Sequence, residues 1–133
     1  MPQDGLITLS SRYPASDTME RLLAALAKRS MTVFARIDHA AGATAAGLSL
    51  LPTEVLIFGR AKGGTPLMKS VQTIGLELPL KALVWQDASG NTWLSYNDPA
   101  WLAKRHGVGA ETEPAVNNMT AALSAVAKAA TTA

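Results

Sequence analysis

The alternation of apolar and polar positions predicts several short strands. In the run at residues 31–37, Val33, Ala35 and Ile37 recur at every second position and are expected to face the core. Two later runs flank a turn in which Gly90 supplies a positive φ, so they predict a β-hairpin. The predicted strands are residues 6–10, 31–37, 55–58, 80–87 and 92–96.

Helices are predicted from the spacing of apolar residues and from the residues that favour helix ends. Asp17, with Glu20 three positions later, resembles a capping box at the start of the first helix. Thr65–Pro66 and Asp98–Pro99 both have the polar-then-proline pattern of a helix start, and Gly107 is expected to end the later of these helices. The predicted helices begin near residues 17, 40, 65, 99 and 114.

The last predicted helix carries a narrow apolar stripe. Its apolar residues are spaced alternately three and four apart, which is typical of a helix that buries one face but is too short for a free coiled coil. We therefore divide the chain into a domain at residues 1–109 and a helical extension at residues 110–133 that packs on the domain or on a partner subunit. The stripe consists of Val116, Met119, Leu123, Val126 and Ala130.

Length and composition are those of one globular domain. With 133 residues, of which 48% are hydrophobic, the chain is long enough to bury a core without a disulfide or a metal. The absence of cysteine excludes disulfides, thiolate zinc sites and cysteine nucleophiles. We expect neither a metal nor a cofactor, because the only histidines, His39 and His106, do not lie in a ligand-spacing motif.

The charge pattern argues against nucleic-acid and membrane partners. The formal net charge is +2, and the cations are scattered along the chain rather than clustered. No apolar run reaches the roughly 18 residues that indicate a membrane-spanning helix, and the first residues lack the pattern of a signal peptide. The sequence therefore predicts a soluble, cytoplasmic protein.

Several motifs resemble, in order, those of a known family. They are residues 34–39 (Phe-Ala-Arg-Ile-Asp-His), 56–59 leading into 64–68, 78–81, and 93–99 (Trp-Leu-Ser-Tyr-Asn-Asp-Pro). Together they are similar to the family called domain of unknown function 302, over about residues 6–107. One departure is Ser30, which stands where a glycine is expected at the turn from helix to strand.

The resemblance implies a fold rather than an activity. It implies a single α+β domain of the β-α-β(4)-α type, similar to the TATA-binding-protein-like fold, with an antiparallel sheet and helices packed on one face. It also implies a homodimer, and it supplies no established biochemical activity. The helix after residue 113 lies outside the resemblance, so the resemblance implies no role for it.

The first candidate site is the end of the second predicted strand, at Asp38 and His39. Histidine serves as a general base or a ligand-binding group because this residue type titrates near neutrality. Neighbouring strand residues point to opposite faces, so Asp38 would orient His39 only if the chain bends there. The alternative is structural, with Asp38 capping the next helix and a loop carbonyl bonding His39.

The second candidate site is the glycine-rich segment at residues 59–66. A helix N-terminus favours an anion, and this segment carries cations with no acidic residue through residue 71. The segment is not a Walker A loop, because its lysine precedes the glycines. The alternative is a plain turn with solvated cations. The predicted ligand-binding residues of both candidates together are Asp38, His39, Arg60, Lys62, Gly63, Gly64, Thr65 and, from the hairpin, Lys81.

Three classes of function are consistent with these residues. The favoured class is a homodimeric module that binds a small anionic or apolar ligand. The alternatives are an enzyme that uses His39 as a general base, and a structural or protein-interaction module. No catalytic residue is assigned, and the lack of a Gly-x-Ser-x-Gly motif argues against a serine hydrolase. His106 follows Lys104 and Arg105 at a helix end and is interpreted as structural.

Overall fold

Five apolar segments pair as the strands of one antiparallel sheet. A computed structural model describes residues 4–132. The strands are β1 (Leu6–Ser11), β2 (Thr32–Asp38), β3 (Thr53–Gly59), β4 (Leu80–Gln86) and β5 (Thr92–Asn97). The α-helices are α1 (Ala15–Lys28), α2 (His39–Ala45), α3 (Ala61–Ser70), α4 (Pro99–His106) and α5 (Glu113–Thr131). Two 3-10 helices lie at Gln72–Glu77 and Ala110–Thr112.

The strand order is β1-β5-β4-β3-β2, which places the β4–β5 hairpin inside the sheet and makes β1 and β2 its edges. Gly90 has a φ of 86° in the hairpin turn, as predicted. Asp98 caps α4 by accepting a hydrogen bond from the Ala100 N–H at 3.0 Å, and Gly107 ends α4 with a φ of 68°. The predicted α+β fold with an antiparallel sheet is confirmed.

The core lies between one face of the sheet and the helices α1 and α5. Alternate residues of the inner strands face it, because a strand turns successive side chains to opposite faces. Leu56, Phe58 and Leu94 on the sheet are fully buried there, as are Met19 and Leu22 on α1. The predicted stripe of α5 is also buried, and α5 packs along α1. The division of the chain at residue 109 stays a prediction.

The prediction that β2 faces the core was wrong. Val33 and Ile37 are 39% and 42% exposed, and only Ala35 is partly buried. The reason is the position of β2 at the sheet edge, where no strand covers its outer side. An irregularity between Val33 and Ala35 also shifts the register of β2 against β3, so the expected alternation does not hold there.

The predicted starts of two helices were also wrong. Helix α1 begins at Ala15, directly after Pro14, so Asp17 lies in the first turn and not at the cap. Glu20 does not close a capping box, because its carboxylate forms an ion pair with Arg36 at 3.2 Å.

Helix α3 begins at Ala61 rather than at Thr65, and Pro66 lies inside it. The glycine-rich segment is therefore helical rather than an open turn. A packing contact accounts for glycine at this point, because a Cβ on Gly64 would come within 3.1 Å of Leu78 Cδ1.

Candidate functional site

A cavity of about 670 Å³ opens where α3 begins, between α3, α5 and the adjoining ends of β2 and β3. This volume lies within the range of small-molecule sites, about 300–1,000 Å³. The fold builds the cavity because β3 ends at Gly59 and the chain turns directly into α3. The larger apolar side chains that line it are Met31, Phe34, Met68, Leu78, Leu80 and Met119.

The charged residues that line this cavity are all cations. They are Arg29, Arg60 and Lys62, and the lining residues include no aspartate or glutamate. Arg60 precedes α3 and donates a hydrogen bond from its guanidinium to the Arg29 carbonyl, which holds its side chain beside the cavity. The first turn of α3 carries no acidic residue, so its free N–H groups and positive dipole end remain uncompensated within the helix.

Arg60, Lys62, Gly63 and Gly64 all line this cavity, and their role in ligand binding stays a prediction. Thr65 also belongs to α3, but its hydroxyl donates to the Ala61 carbonyl at 2.7 Å and it does not line the cavity.

Lys81 lies outside the cavity on β4. Its Nζ is 3.4 Å from the carbonyl oxygens of both Glu77 and Pro79. The structure therefore places Lys81 apart from the cavity that the glycine-rich segment lines, and its role in ligand binding stays a prediction.

Asp38 and His39 are not part of this cavity. In the β2–β3 pair, Thr32 is opposite Gly59 at one end, while Asp38 is opposite Glu54 at the other end, about 20 Å away along the strand. The structure therefore places His39 and the glycine-rich segment at two separate locations rather than in a single site.

At its own location, Asp38 caps α2, and its Oδ1 accepts a hydrogen bond from the Ala41 N–H at 2.9 Å. His39 is exposed in the first turn of α2. Its role as a general base stays a prediction.

A second group of polar side chains was missed by the sequence analysis. His106 Nε2 lies 2.7 Å from Glu77 Oε2, and His106 Nδ1 lies 3.0 Å from Thr73 Oγ1. Arg105 donates to the same Glu77 oxygen at 2.5 Å. The side chains of His106 and Glu77 are only 10% and 12% exposed. Hydrogen bonding from His106 lowers the pKa of Glu77 below its ordinary value, against the opposing effect of burial.

No local pattern could have indicated this group. Glu77 lies in the 3-10 helix and His106 at the end of α4, separated by 29 residues in sequence. From the sequence, His106 was interpreted only through its neighbours on the same helix. Tertiary packing of α4 on the 3-10 helix supplies its partners.

Across residues 4–132, no three His, Asp or Glu side chains come close enough together to hold a metal ion. None of the helices described in this range is long and apolar enough to cross a membrane.

The model of the family described as "Domain of unknown function DUF302" matches residues 7–126. The chain belongs to this family. The match extends well into α5, beyond the span of the resemblance found in the sequence motifs. A crystal structure of an uncharacterized conserved DUF302 protein from Bacillus stearothermophilus has the same fold, with a TM-score of 0.84 over 96% of this chain and 99% of that chain. Its sequence identity is 18%, so this likeness concerns the fold alone.

Curated relatives of the DUF302 chain are more similar in sequence. A protein of Brucella suis named "Fluoride-specific ion channel FluC 1" is 48% identical over 124 residues, which are 93% of this chain and 49% of the relative. A protein of Brucella abortus with the same name is also 48% identical, and the match covers 46% of its length. The chain therefore spans about half the length of the curated relatives it matches.

Proposed function

We propose that this DUF302 chain binds a small organic anion with an apolar body in the cavity beside α3. One observation carries the proposal: the cavity combines an apolar lining with a charged lining that is wholly cationic. An inorganic anion would leave the apolar walls unused, and a neutral apolar ligand would leave the cations without a partner. A carboxylate or phosphate ester with a hydrocarbon body matches both parts.

In the proposed complex, the anionic head lies near Arg60, Lys62 and the first N–H groups of α3. Charge-assisted hydrogen bonds of this kind are stronger than neutral ones. The body of the ligand lies among side chains such as Phe34 and Met119. Burial of apolar surface stabilises the complex by about 25 cal/mol per Å². Methionine adapts to ligands of different shape because its side chain is unbranched and flexible.

Isothermal titration calorimetry with decanoate, decanol and acetate tests both parts of the proposal. We expect decanoate to bind most tightly, because only decanoate combines the charge with the apolar chain. Replacing Arg60 and Lys62 together by alanine is expected to weaken decanoate binding about tenfold or more, because a hydrogen bond to a charged group contributes about 1.5–3 kcal/mol. The Phe34→Ala change is expected to weaken decanoate but not acetate.

Lys69→Ala is the matched control, because Lys69 is an exposed cation of the same helix that does not line the cavity. Equal binding of decanoate to the wild type and to the double variant would contradict the proposed position of the head group. Equal binding of decanoate and decanol would contradict the requirement for an anion.

The relatives named as fluoride-specific ion channels support a second candidate, in which the bound anion is fluoride and the domain acts together with fluoride transport. Fluoride would use the N–H groups at the start of α3 with Arg60 and Lys62, and it would not need the apolar walls. Fluorine NMR of the protein with sodium fluoride distinguishes the candidates. Fluoride binding that is lost in the double variant but unaffected by Phe34→Ala would favour fluoride over an organic anion.

We also propose that the chain forms a homodimer through the sheet face opposite α1 and α5. Trp85 and Trp93 lie on that face, with ring centroids 6.1 Å apart. Their indole N–H groups donate to Ser95 and Asp87 at 2.9 Å, so the rings present mainly apolar surface. Native mass spectrometry tests the subunit number and also detects a retained ligand. A monomer at micromolar concentration would contradict the homodimer.

A further inference from the structure

His106 forms hydrogen bonds through both of its ring nitrogens, and these connect it to two other side chains. The exposed Thr73 hydroxyl contacts Nδ1 of the imidazole, and the Glu77 carboxylate contacts Nε2 on its other side. A hydroxyl, an imidazole and a carboxylate in this order are the three parts of the relay that activates a hydroxyl nucleophile. The side chains of His106 and Glu77 are largely buried, whereas Thr73 is exposed.

The contact with Glu77 favours one tautomer of His106. An ionised Glu77 only accepts hydrogen bonds, so the imidazole donates to it from Nε2. In the neutral ring, Nδ1 then keeps its lone pair and is free to accept the proton of Thr73. The low pKa of Glu77 keeps its carboxylate ionised at neutral pH, which maintains this tautomer.

We propose that Thr73, His106 and Glu77 form an acyl-transfer site that takes small activated esters. Thr73 is the nucleophile and His106 is the general base. Glu77 is a positioning residue that orients the imidazole. This site is separate from the cavity beside α3, since none of the three residues lines that cavity.

The reaction balances with the ester and water as the only reactants. Thr73 Oγ1 bonds to the acyl carbon while its proton passes to His106 Nδ1. The bond from the acyl carbon to the leaving oxygen then breaks, and that oxygen takes the proton from Nδ1 and departs as an alcohol. Water then passes a proton to Nδ1 and bonds to the acyl carbon of the acyl-Thr73 ester. The bond from that carbon to Thr73 Oγ1 breaks, Oγ1 takes the proton from Nδ1, and the carboxylic acid departs.

Incubation with p-nitrophenyl acetate tests the proposal through the mass of the peptide that contains Thr73 after acid quenching. We expect acetyl-Thr73 in the wild type and acetyl-serine in Thr73→Ser. His106→Gln is expected to slow acetylation of Thr73 at least about 100-fold, the lower end of what a positioned general base contributes. Glu77→Gln is expected to slow it too, and Glu77→Asp to restore part of the rate.

Thr73→Ala removes the hydroxyl and the methyl group of an exposed side chain, so the variant is expected to fold. Circular dichroism checks the fold of each variant. The Thr73→Ala variant should show no acetyl group at position 73. Thr44→Ala is the control, because Thr44 is exposed and its hydroxyl donates to the Ala40 carbonyl at 3.1 Å. Wild-type protein without acetyl-Thr73, or a rate that His106→Gln leaves unchanged in a folded protein, would overturn the proposal.

Discussion

The charge state of Glu77 depends on the fold. Its carboxylate accepts hydrogen bonds from His106 and Arg105, and these contacts lower its pKa relative to the ordinary value of 4.5. A carboxyl group with a lower pKa in the folded state binds fewer protons there than in the unfolded state. Glu77 therefore stabilises the fold above pH 4.5, and this contribution is lost as the pH falls through its folded-state pKa.

We predict that Glu77→Gln lowers the free energy of unfolding by about 1–3 kcal/mol at pH 7, the usual cost of removing one partner of a hydrogen-bonded charged group. The difference from the wild type should shrink as the pH is lowered below 4.5. Urea unfolding of both proteins at a series of pH values measures this difference in free energy. Glu111→Gln, at an exposed position, is the control. A difference that is independent of pH would argue against a stabilising charge at Glu77.

At the scale of the element, the two glycines of α3 have different surroundings. A Cβ on Gly63 would lie 3.9 Å from Met119 Cε, which is an ordinary contact. A Cβ on Gly64 would lie 3.1 Å from Leu78 Cδ1, so Leu78 would have to move. The same substitution should therefore have different effects at two adjacent positions of one helix.

We predict that Gly63→Ala raises the free energy of unfolding by about 0.5–1 kcal/mol, because glycine disfavours a helix interior by that amount relative to alanine. Gly64→Ala should raise the free energy of unfolding by less, or should lower it, because the added Cβ would press against Leu78. Thermal unfolding of both variants tests the difference. Equal stabilisation at the two positions would show that Leu78 can move without lowering the free energy of unfolding.

At the scale of the whole molecule, α5 completes the core. It packs along α1 and also contacts α3 and α4. Leu123 is only 2% exposed, and the family match includes most of this helix. We therefore expect the helix to belong to the same cooperative unit as the sheet.

We predict that Leu123→Ala costs about 2–5 kcal/mol of stability, the usual effect of removing a buried leucine side chain. Asn117→Ala, at an exposed position of the same helix, should change stability by less than about 0.5 kcal/mol. A chain cut after residue 109 should lose cooperative unfolding in urea. If that shorter chain folded cooperatively, the division into a domain at residues 1–109 and an extension would be supported instead.

The sequence by itself determined the features that depend on neighbouring residues. The hairpin around Gly90, the cap at Asp98 and the helix end at Gly107 were all predicted, since each depends on the backbone preference of one or two residues. The motif resemblance pointed to the correct family and fold. Ser30 was singled out as a departure, and its φ of 57° is the left-handed conformation that glycine adopts more easily.

Only the tertiary structure decided which features come together. Because β2 lies at the edge of the sheet, residues that its apolar alternation had assigned to the core are exposed. The antiparallel pairing of β2 and β3 placed His39 and the glycine-rich segment at opposite ends of the pair. The apolar walls of the cavity and the partners of His106 come from elements far apart in the chain. Local preferences fix turns and caps, whereas a site requires contacts between distant segments, which only packing decides.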